Sequence, residues 1–169
     1  MTDTLDPLVE YKNLLSFHKS SILSTVDRDG DPLSSYAPHA LDNENFHFYI
    51  SISGMAAHTK NIEENGKVSL MIIQDESAAS KLFARKRVIF HCHAEVVNKA
   101  SEEFIKGQDL MIQAHGDFIK GMLEMPDFRL IKISPKRGNL VLDFGKAYQI
   151  AEDLQTLKHR SGGGHGRKN

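Results

Sequence analysis

Hydrophobic and polar positions alternate in several short segments of the chain and recur at spacings of three and four residues in others. Alternating or continuous apolar runs between turns rich in Gly, Pro and Asp predict strands. The predicted strands cover residues 21–26, 33–38, 46–52, 67–74 and 87–97, with a closing pair at 127–134 and 139–144. About six strands, joined mostly by hairpins, indicate an antiparallel barrel.

Helices are predicted in three regions, and they complete an α+β fold with helices packed outside the barrel. The first begins at Pro7 behind the N-cap residue Asp6, since proline suits the first helical position. The second covers residues 55–65 and ends at Gly66, a residue type that terminates helices well. The third covers residues 101–125 in two pieces, with a break at Gly107 or Gly116.

Two of the strands allow finer predictions. Residues 67–74 are almost continuously apolar, which predicts a central strand buried on both faces. Residues 87–97 alternate, so that two sets of side chains occupy opposite faces. One set is Val88, Phe90, Cys92, Ala94 and Val96, and the other is Arg87, Ile89, His91, His93, Glu95 and Val97.

Composition limits the class of protein. A chain of 169 residues suits one domain and buries enough surface to fold without disulfides or a structural metal. The charge of −1, from 21 basic and 22 acidic residues, gives no reason to expect a nucleic-acid partner. No apolar run approaches the roughly 20 residues of a membrane span, and the acidic start is unlike a signal peptide, so a cytoplasmic location is predicted. Nine histidines beside one cysteine make imidazole the available metal ligand or proton carrier.

The strand at 87–97 carries the first candidate site. His91, His93 and Glu95 lie on one face, where two imidazoles can converge on a metal ion. No third ligand is placed by the spacing, and alternation alone produces a polar, solvent-facing strand face. The second interpretation is favoured.

Two further candidates suit an anionic ligand. The cluster Arg85-Lys86-Arg87 offers guanidinium groups for phosphate or carboxylate, or else forms a solvated basic turn. Ser53 precedes the second helix and His58 lies on it, and such a strand-to-helix junction provides free N–H groups. The alternative there is an ordinary helix cap beside an exposed histidine.

The last twelve residues differ in character from the rest, so residues 1–157 are predicted as the barrel domain and 158–169 as a flexible basic tail. The tail reads KHRSGGGHGRKN, with four basic residues and no acid. Such a segment is either a disordered solubilising tail or an arm that delivers His165 to a ligand, with Arg167 and Lys168 as anion contacts. From composition alone, the first interpretation is favoured.

Several segments resemble a known family. Residues 48–72, FYISISGMAAHTKNIEENGKVSLMI, resemble the core of the pyridoxamine-phosphate-oxidase-like split barrels, a flavin-binding fold that usually forms homodimers. Residues 81–90, 125–148 and 164–168 narrow the resemblance to the HugZ/HutZ-type heme-utilisation proteins. The resemblance runs from about Leu14 to the C-terminus and implies a six-stranded antiparallel split β-barrel with flanking helices.

The resemblance also implies a function and its residues. Proteins of this family bind heme between two subunits and degrade it to a biliverdin-type product with release of iron. The axial histidine of the iron corresponds to His165, and the aspartate beside it corresponds to Asp127. Arg87 corresponds to a residue near the heme, where it and Arg85 would hold the anionic edge of the heme, and His58 matches a histidine whose role is open. A heme-delivery protein and an external electron donor are expected partners.

Chemistry agrees with that implication. The chain has no CxxCH motif, so any heme is held non-covalently by a ligand and apolar walls. A ligating imidazole normally donates its second N–H to a carboxylate, which Asp127 can provide. Heme propionates are anionic, and Arg87, Arg167 and Lys168 can meet them. If histidine fills one axial position, the other can stay open for O₂, as oxidation of the ring requires.

Three alternatives remain from the sequence. FMN is one, although Ser53-Gly54-Met55 lacks the cations that flavin-binding members carry there. A heme store or carrier without chemistry is another, because it would use the same residues. His159 is a nearby competitor of His165 for the iron.

Overall fold

The computed structural model describes residues 6–160, which form four helices and nine strands with two short 3₁₀ turns. The helices are α1 (Pro7–Phe17), α2 (Ala57–Asn65), α3 (Glu102–His115) and α4 (Phe118–Glu124). The strands are β1 (Ser20–Val26), β2 (Pro32–Pro38), β3 (Ala40–Asp42), β4 (His47–Ser53), β5 (Lys67–Ile73), β6 (Arg87–Val96), β7 (Phe128–Asp143), β8 (Lys146–Ile150) and β9 (Leu157–His159). None of these helices is long and apolar enough to cross a membrane.

The strands form one antiparallel sheet in the order β2-β1-β5-β6-β7-β4-β3, and β8 joins β7 to β9. The sheet curls around a core that includes Leu23, Phe48, Leu70, Phe90 and Ile131. The predicted α+β class with an antiparallel, barrel-like sheet is confirmed. The number of strands is larger than predicted, since three short strands (β3, β8 and β9) escaped the sequence pattern.

The two predicted closing strands are wrong in one respect, because residues 128–143 form a single strand of 16 residues. Pro135 lies in the predicted turn between the two strands, because proline cannot donate to a sheet ladder. The strand accommodates it at a bulge: His91 pairs with Arg137 and Cys92 with Pro135, so Lys136 has no partner residue on β6. The first half of β7 pairs with β4 and the second half with β8.

Other predictions are refined by the structure. Strand β5 is central, but only Val68, Leu70 and Ile72 are buried, and its other apolar face is half-buried. At the end of β6 the alternation shifts, so Val97 is buried and Val96 exposed, the reverse of the prediction. The domain boundary predicted at residue 157 falls inside β9.

The third helical region breaks at Gly116, whose φ is +104°, and not at Gly107. Gly107 lies inside α3, where the helix packs on the sheet over Tyr49 and Leu130. A Cβ there would come within 2.6 Å of the Tyr49 ring and 2.9 Å of Leu130. The glycine therefore permits the close approach of α3.

Replacing Gly107 by alanine is expected to destabilise the protein by about 1–3 kcal/mol, because the added methyl group forces buried side chains to shift. Urea unfolding measures the difference. Gly121→Ala on α4 is the matched control, since no heavy atom lies within 4 Å of the added methyl group. The control should gain up to about 1 kcal/mol from helix propensity. Equal effects at both positions would contradict the close packing.

A buried histidine makes stability depend on pH. His39 is 2% exposed, neither of its ring nitrogens has a hydrogen-bond partner in residues 6–160, and its ring packs edge-on against Phe48. Burial, with His115 and then His18 nearby, lowers the pKa of His39 to about 4. The folded state therefore holds this imidazole neutral where the unfolded chain, with a pKa of 6.5, binds a proton.

The sign follows from that difference: stability is complete above about pH 6.5 and is lost as the pH falls toward 4. The loss attributable to His39 is roughly 3 kcal/mol, from 1.36 kcal/mol per pKa unit. Urea unfolding between pH 7 and 4 measures it. His39→Leu should flatten the dependence on pH, and an unchanged slope in that variant would show that other groups cause it.

Candidate functional site

Strand β4 ends beside the start of β7, and this junction carries two of the predicted site residues. Ser53 pairs with Phe128, so its side chain lies next to Asp127. The Ser53 hydroxyl donates to Asp127 Oδ2 at 3.2 Å and accepts the N–H of Met55 at 3.2 Å. Serine and aspartate, 74 residues apart in sequence, are thus brought together by strand pairing.

The backbone reinforces this contact. The N–H of Gly54 donates to the carbonyl of Asp127 at 2.5 Å. A Cβ on Gly54 would lie 2.9 Å from that same oxygen, so the close approach needs glycine. Asp127 is half-buried, and within residues 6–160 its Oδ1 makes no hydrogen bond. One carboxylate oxygen is therefore fixed and the other is free to accept from a further donor.

Exposed methionines lie close to this junction in the sequence. Met55 follows Gly54 and is 78% exposed, and Met125 precedes Asp127 by two residues and is 42% exposed. Met122 of α4 accepts from the Ser51 hydroxyl on β4, with its sulfur 3.7 Å from that oxygen. Exposed methionines in this part of the chain offer adaptable apolar surface to a ligand.

His58 lies in the first turn of α2, directly after this junction. The N-cap residue Ala56 provides no side-chain cap, and the Thr59 hydroxyl ties the helix to the Ser53 carbonyl at 2.6 Å. The His58 ring is half-buried, and its Nε2 has no hydrogen-bond partner in the described part of the chain. Burial lowers the pKa of His58, so the neutral imidazole dominates at pH 7.

Arg129, which the sequence did not predict as a site residue, belongs to the same junction. Its guanidinium lies 3.6 Å from the Cβ position of Gly54, and its Nη1 donates to the Pro126 carbonyl at 2.7 Å. Its Nε lies 3.6 Å from Glu63 Oε1 on α2. No sequence signal marks Arg129, because Asp127 lies in the turn before β7 and two of the partners of Arg129 are backbone carbonyls.

The basic cluster has a different setting. Arg85 donates from Nε and Nη2 to the Gln74 carbonyl, at 3.1 and 2.6 Å, and pairs with Glu76 at 3.4 Å. Arg85 thereby closes the loop between β5 and β6. Arg87 donates to the Arg85 carbonyl at 2.8 Å and makes no ion pair within residues 6–160. Of the two arginines, Arg87 has the more available charge.

The structure does not bring this cluster to the Ser53–Asp127 junction within one chain. Arg87 pairs with Val141, close to the last residue of β7, whereas Asp127 directly precedes its first residue. A strand of 16 residues covers roughly 50 Å along its contour at about 3.3 Å per residue. The predicted site residues therefore form two groups at opposite ends of β7.

The other predicted site residues are histidines on two strands and residues of the C-terminal segment. His91 and His93 are exposed, and residues 6–160 contain no group of three side chains suited to a metal ion. His159 in β9 is exposed, and its Nε2 donates to the Gly145 carbonyl at 2.8 Å. His165 and Arg167 lie outside the described residues.

Comparisons with known proteins agree with this architecture. The family described as pyridoxamine 5′-phosphate oxidase matches residues 9–142. Heme oxygenase HutZ of Vibrio cholerae is 38% identical over 151 residues, which cover 89% of this chain and 85% of that protein.

Two solved structures are similar. The crystal structure of Vibrio cholerae HutZ, named there as a heme storage protein, has a TM-score of 0.73 at 36% identity and covers 80% of this chain and 93% of that one. Campylobacter jejuni ChuZ has a TM-score of 0.80 at 29% identity, covering 95% of this chain and 65% of that one. The chain therefore belongs to the pyridoxamine 5′-phosphate oxidase family and to its HugZ/HutZ-type branch, as its sequence motifs indicated.

Proposed function

We propose that this protein binds heme b and degrades it oxidatively, using O₂ and an external electron donor, to a biliverdin-type product with release of iron. The observation that carries the proposal is the Asp127 carboxylate, with Oδ2 held by the Ser53 hydroxyl and Oδ1 without a hydrogen bond among residues 6–160. The names of two relatives, a heme oxygenase and a heme storage protein, support heme as the ligand. A heme-delivery protein belongs to the same proposal.

Within residues 6–160, the side chains at the candidate site are of the kinds that a heme site needs. His165 would be the axial ligand, and the free oxygen of Asp127 would accept the second N–H of its imidazole, which strengthens and orients such a ligand. Arg87, whose guanidinium makes no ion pair within residues 6–160, would meet a propionate. Heme supplies a redox-active iron and the ring that is oxidised. The protein contributes the ligand, the charge clamp and the apolar walls.

The two groups of site residues favour a homodimer. The described chain ends at Arg160, whose N–H donates to the Ala147 carbonyl, and Ala147 pairs with Val141, the partner of Arg87. Arg160, the last described residue, therefore lies at the Arg87 end of the sheet. Five residues span at most about 17 Å, whereas Asp127 lies at the other end of β7.

We therefore infer that His165 and Arg87 of one copy act beside Asp127 and Ser53 of the other. A twofold axis would build two such sites, because each copy carries both groups.

FMN is the alternative cofactor, since the family is named for a flavin enzyme of pyridoxamine phosphate. The Ser53-Gly54-Met55 turn offers no cation of its own, and Arg85 is engaged by the Gln74 carbonyl. These observations favour heme.

The deciding experiment is a hemin titration followed by absorption, with flavin fluorescence of the same purified protein. A saturable Soret band and the absence of flavin emission are expected. A yellow, fluorescent protein that does not bind hemin would overturn the proposal.

A further inference from the structure

The guanidinium of Arg129 contacts the chain on both sides of Asp127. Nη1 donates to the carbonyl of Pro126 at 2.7 Å and approaches the carbonyl of Phe128 at 3.3 Å. Only Asp127 lies between these two residues. The same nitrogen therefore restrains the backbone immediately before and after the carboxylate-bearing residue.

Two further contacts place the guanidinium itself. Its Nε lies 3.6 Å from Glu63 Oε1, which connects it to α2. Its Cζ and Nη2 both lie 3.6 Å from the Cβ position of Gly54, whose N–H holds the Asp127 carbonyl. Arg129 is half-buried. It thus joins α2, the Gly54 turn and the start of β7 in one arrangement.

We propose that Arg129 is a positioning residue for Asp127, which aims the free carboxylate oxygen at the iron-ligating imidazole. This inference rests on the proposed function. The Ser53 hydroxyl donates to one carboxylate oxygen of Asp127, and the Gly54 N–H donates to its carbonyl. Arg129 contacts the carbonyls of Pro126 and Phe128, the residues on either side of Asp127. Together these bonds fix the direction in which the side chain leaves the backbone.

The backbone contacts, not the ion pair, carry this role. Arg129 and Glu63 are both partly exposed, and exposed pairs contribute little because water and salt screen them. Lysine is not a substitute, since the ammonium group on its flexible stem is not held in one place as the rigid, planar guanidinium holds Nη1 between the two carbonyls. Glu63→Gln should therefore have little effect, and Arg129→Lys should behave like Arg129→Ala.

A double-mutant cycle tests the inference. The variants are Arg129→Ala, Asp127→Asn and the pair, and the readouts are hemin affinity and the iron–histidine stretching frequency in resonance Raman spectra. Arg129→Ala is expected to weaken hemin binding about tenfold and to lower that frequency, as loss of an outer partner of a metal ligand does. In the Asp127→Asn background the same change should have less than a twofold effect, because coupled residues are non-additive. Additive effects would overturn the inference and place Arg129 directly against heme.

Controls separate positioning from folding and from the proposed function. Arg28→Ala removes an exposed arginine that pairs with Glu64, also on α2, and should leave hemin binding unchanged. The melting temperature of the heme-free variants reports folding, and Arg129→Lys serves if Arg129→Ala does not fold. No hemin binding by the wild-type protein would reject the proposed function. Wild-type binding that depends on Asp127 but not on Arg129 would reject this inference alone.

Discussion

Replacing His165 by alanine is expected to lower hemin affinity at least about 100-fold and to shift the Soret band. The reason is that the axial imidazole is the proposed bond between protein and iron, and loss of a mere outer partner already costs 10- to 100-fold. The measurement is an absorption titration of wild type and variant with hemin. Added imidazole should restore part of the wild-type spectrum in the variant, because it can occupy the vacated axial position.

His159→Ala is the matched control for that experiment. This histidine lies six positions earlier, in β9, where its Nε2 already donates to the Gly145 carbonyl. Its removal should leave the affinity and the spectrum of bound hemin unchanged. If His159→Ala altered both and His165→Ala altered neither, the assignment of the ligand would be wrong.

Replacing Asp127 by asparagine is the second large expected effect. The amide keeps the size of the side chain but loses the charge that polarises the imidazole N–H. Hemin affinity is expected to fall about 10- to 100-fold, with a lower iron–histidine stretching frequency and slower ascorbate-driven degradation. Stopped-flow absorption under air measures the rate, and resonance Raman spectra measure the bond.

Asp109→Asn, an exposed carboxylate on α3, provides the control and should match the wild type. Degradation kinetics that stay unchanged in Asp127→Asn would remove Asp127 from the mechanism. A change in kinetics of both variants would instead point to a general effect of charge.

Local signals predicted much of the fold. The first helix follows from Asp6 and Pro7, and the Asp6 carboxylate does accept the N–H of Leu8 at 2.9 Å. Strand β7 was misjudged for a physical reason: proline and glycine within four residues are typical of a turn. Only the pairing with β6, which is distant in sequence, supplies the bulge that accommodates Pro135. Very short strands such as β9 carry too few residues to show alternation.

For the site, as for the fold, the sequence predicted individual residues but not the contacts between distant segments. The family resemblance indicated Asp127 and the strand-to-helix junction indicated Ser53, but their hydrogen bond depends on the pairing of β4 with β7. Arg129 was missed because its partners are mostly backbone carbonyls, which leave no trace in the sequence. Arg85 was chosen for its charge, yet the structure shows that its guanidinium holds the Gln74 carbonyl. Its role toward a cofactor stays a prediction.

The most direct measurement of the central claim is the fate of bound hemin when ascorbate is added in air. For the wild-type protein we predict loss of the Soret band, growth of bile-pigment absorption and capture of the released iron by a ferrous chelator. His165→Ala should show these changes at the slow rate of free hemin. A Soret band that persists in the wild-type complex under reductant and O₂ would contradict the claim and identify the protein as a heme store.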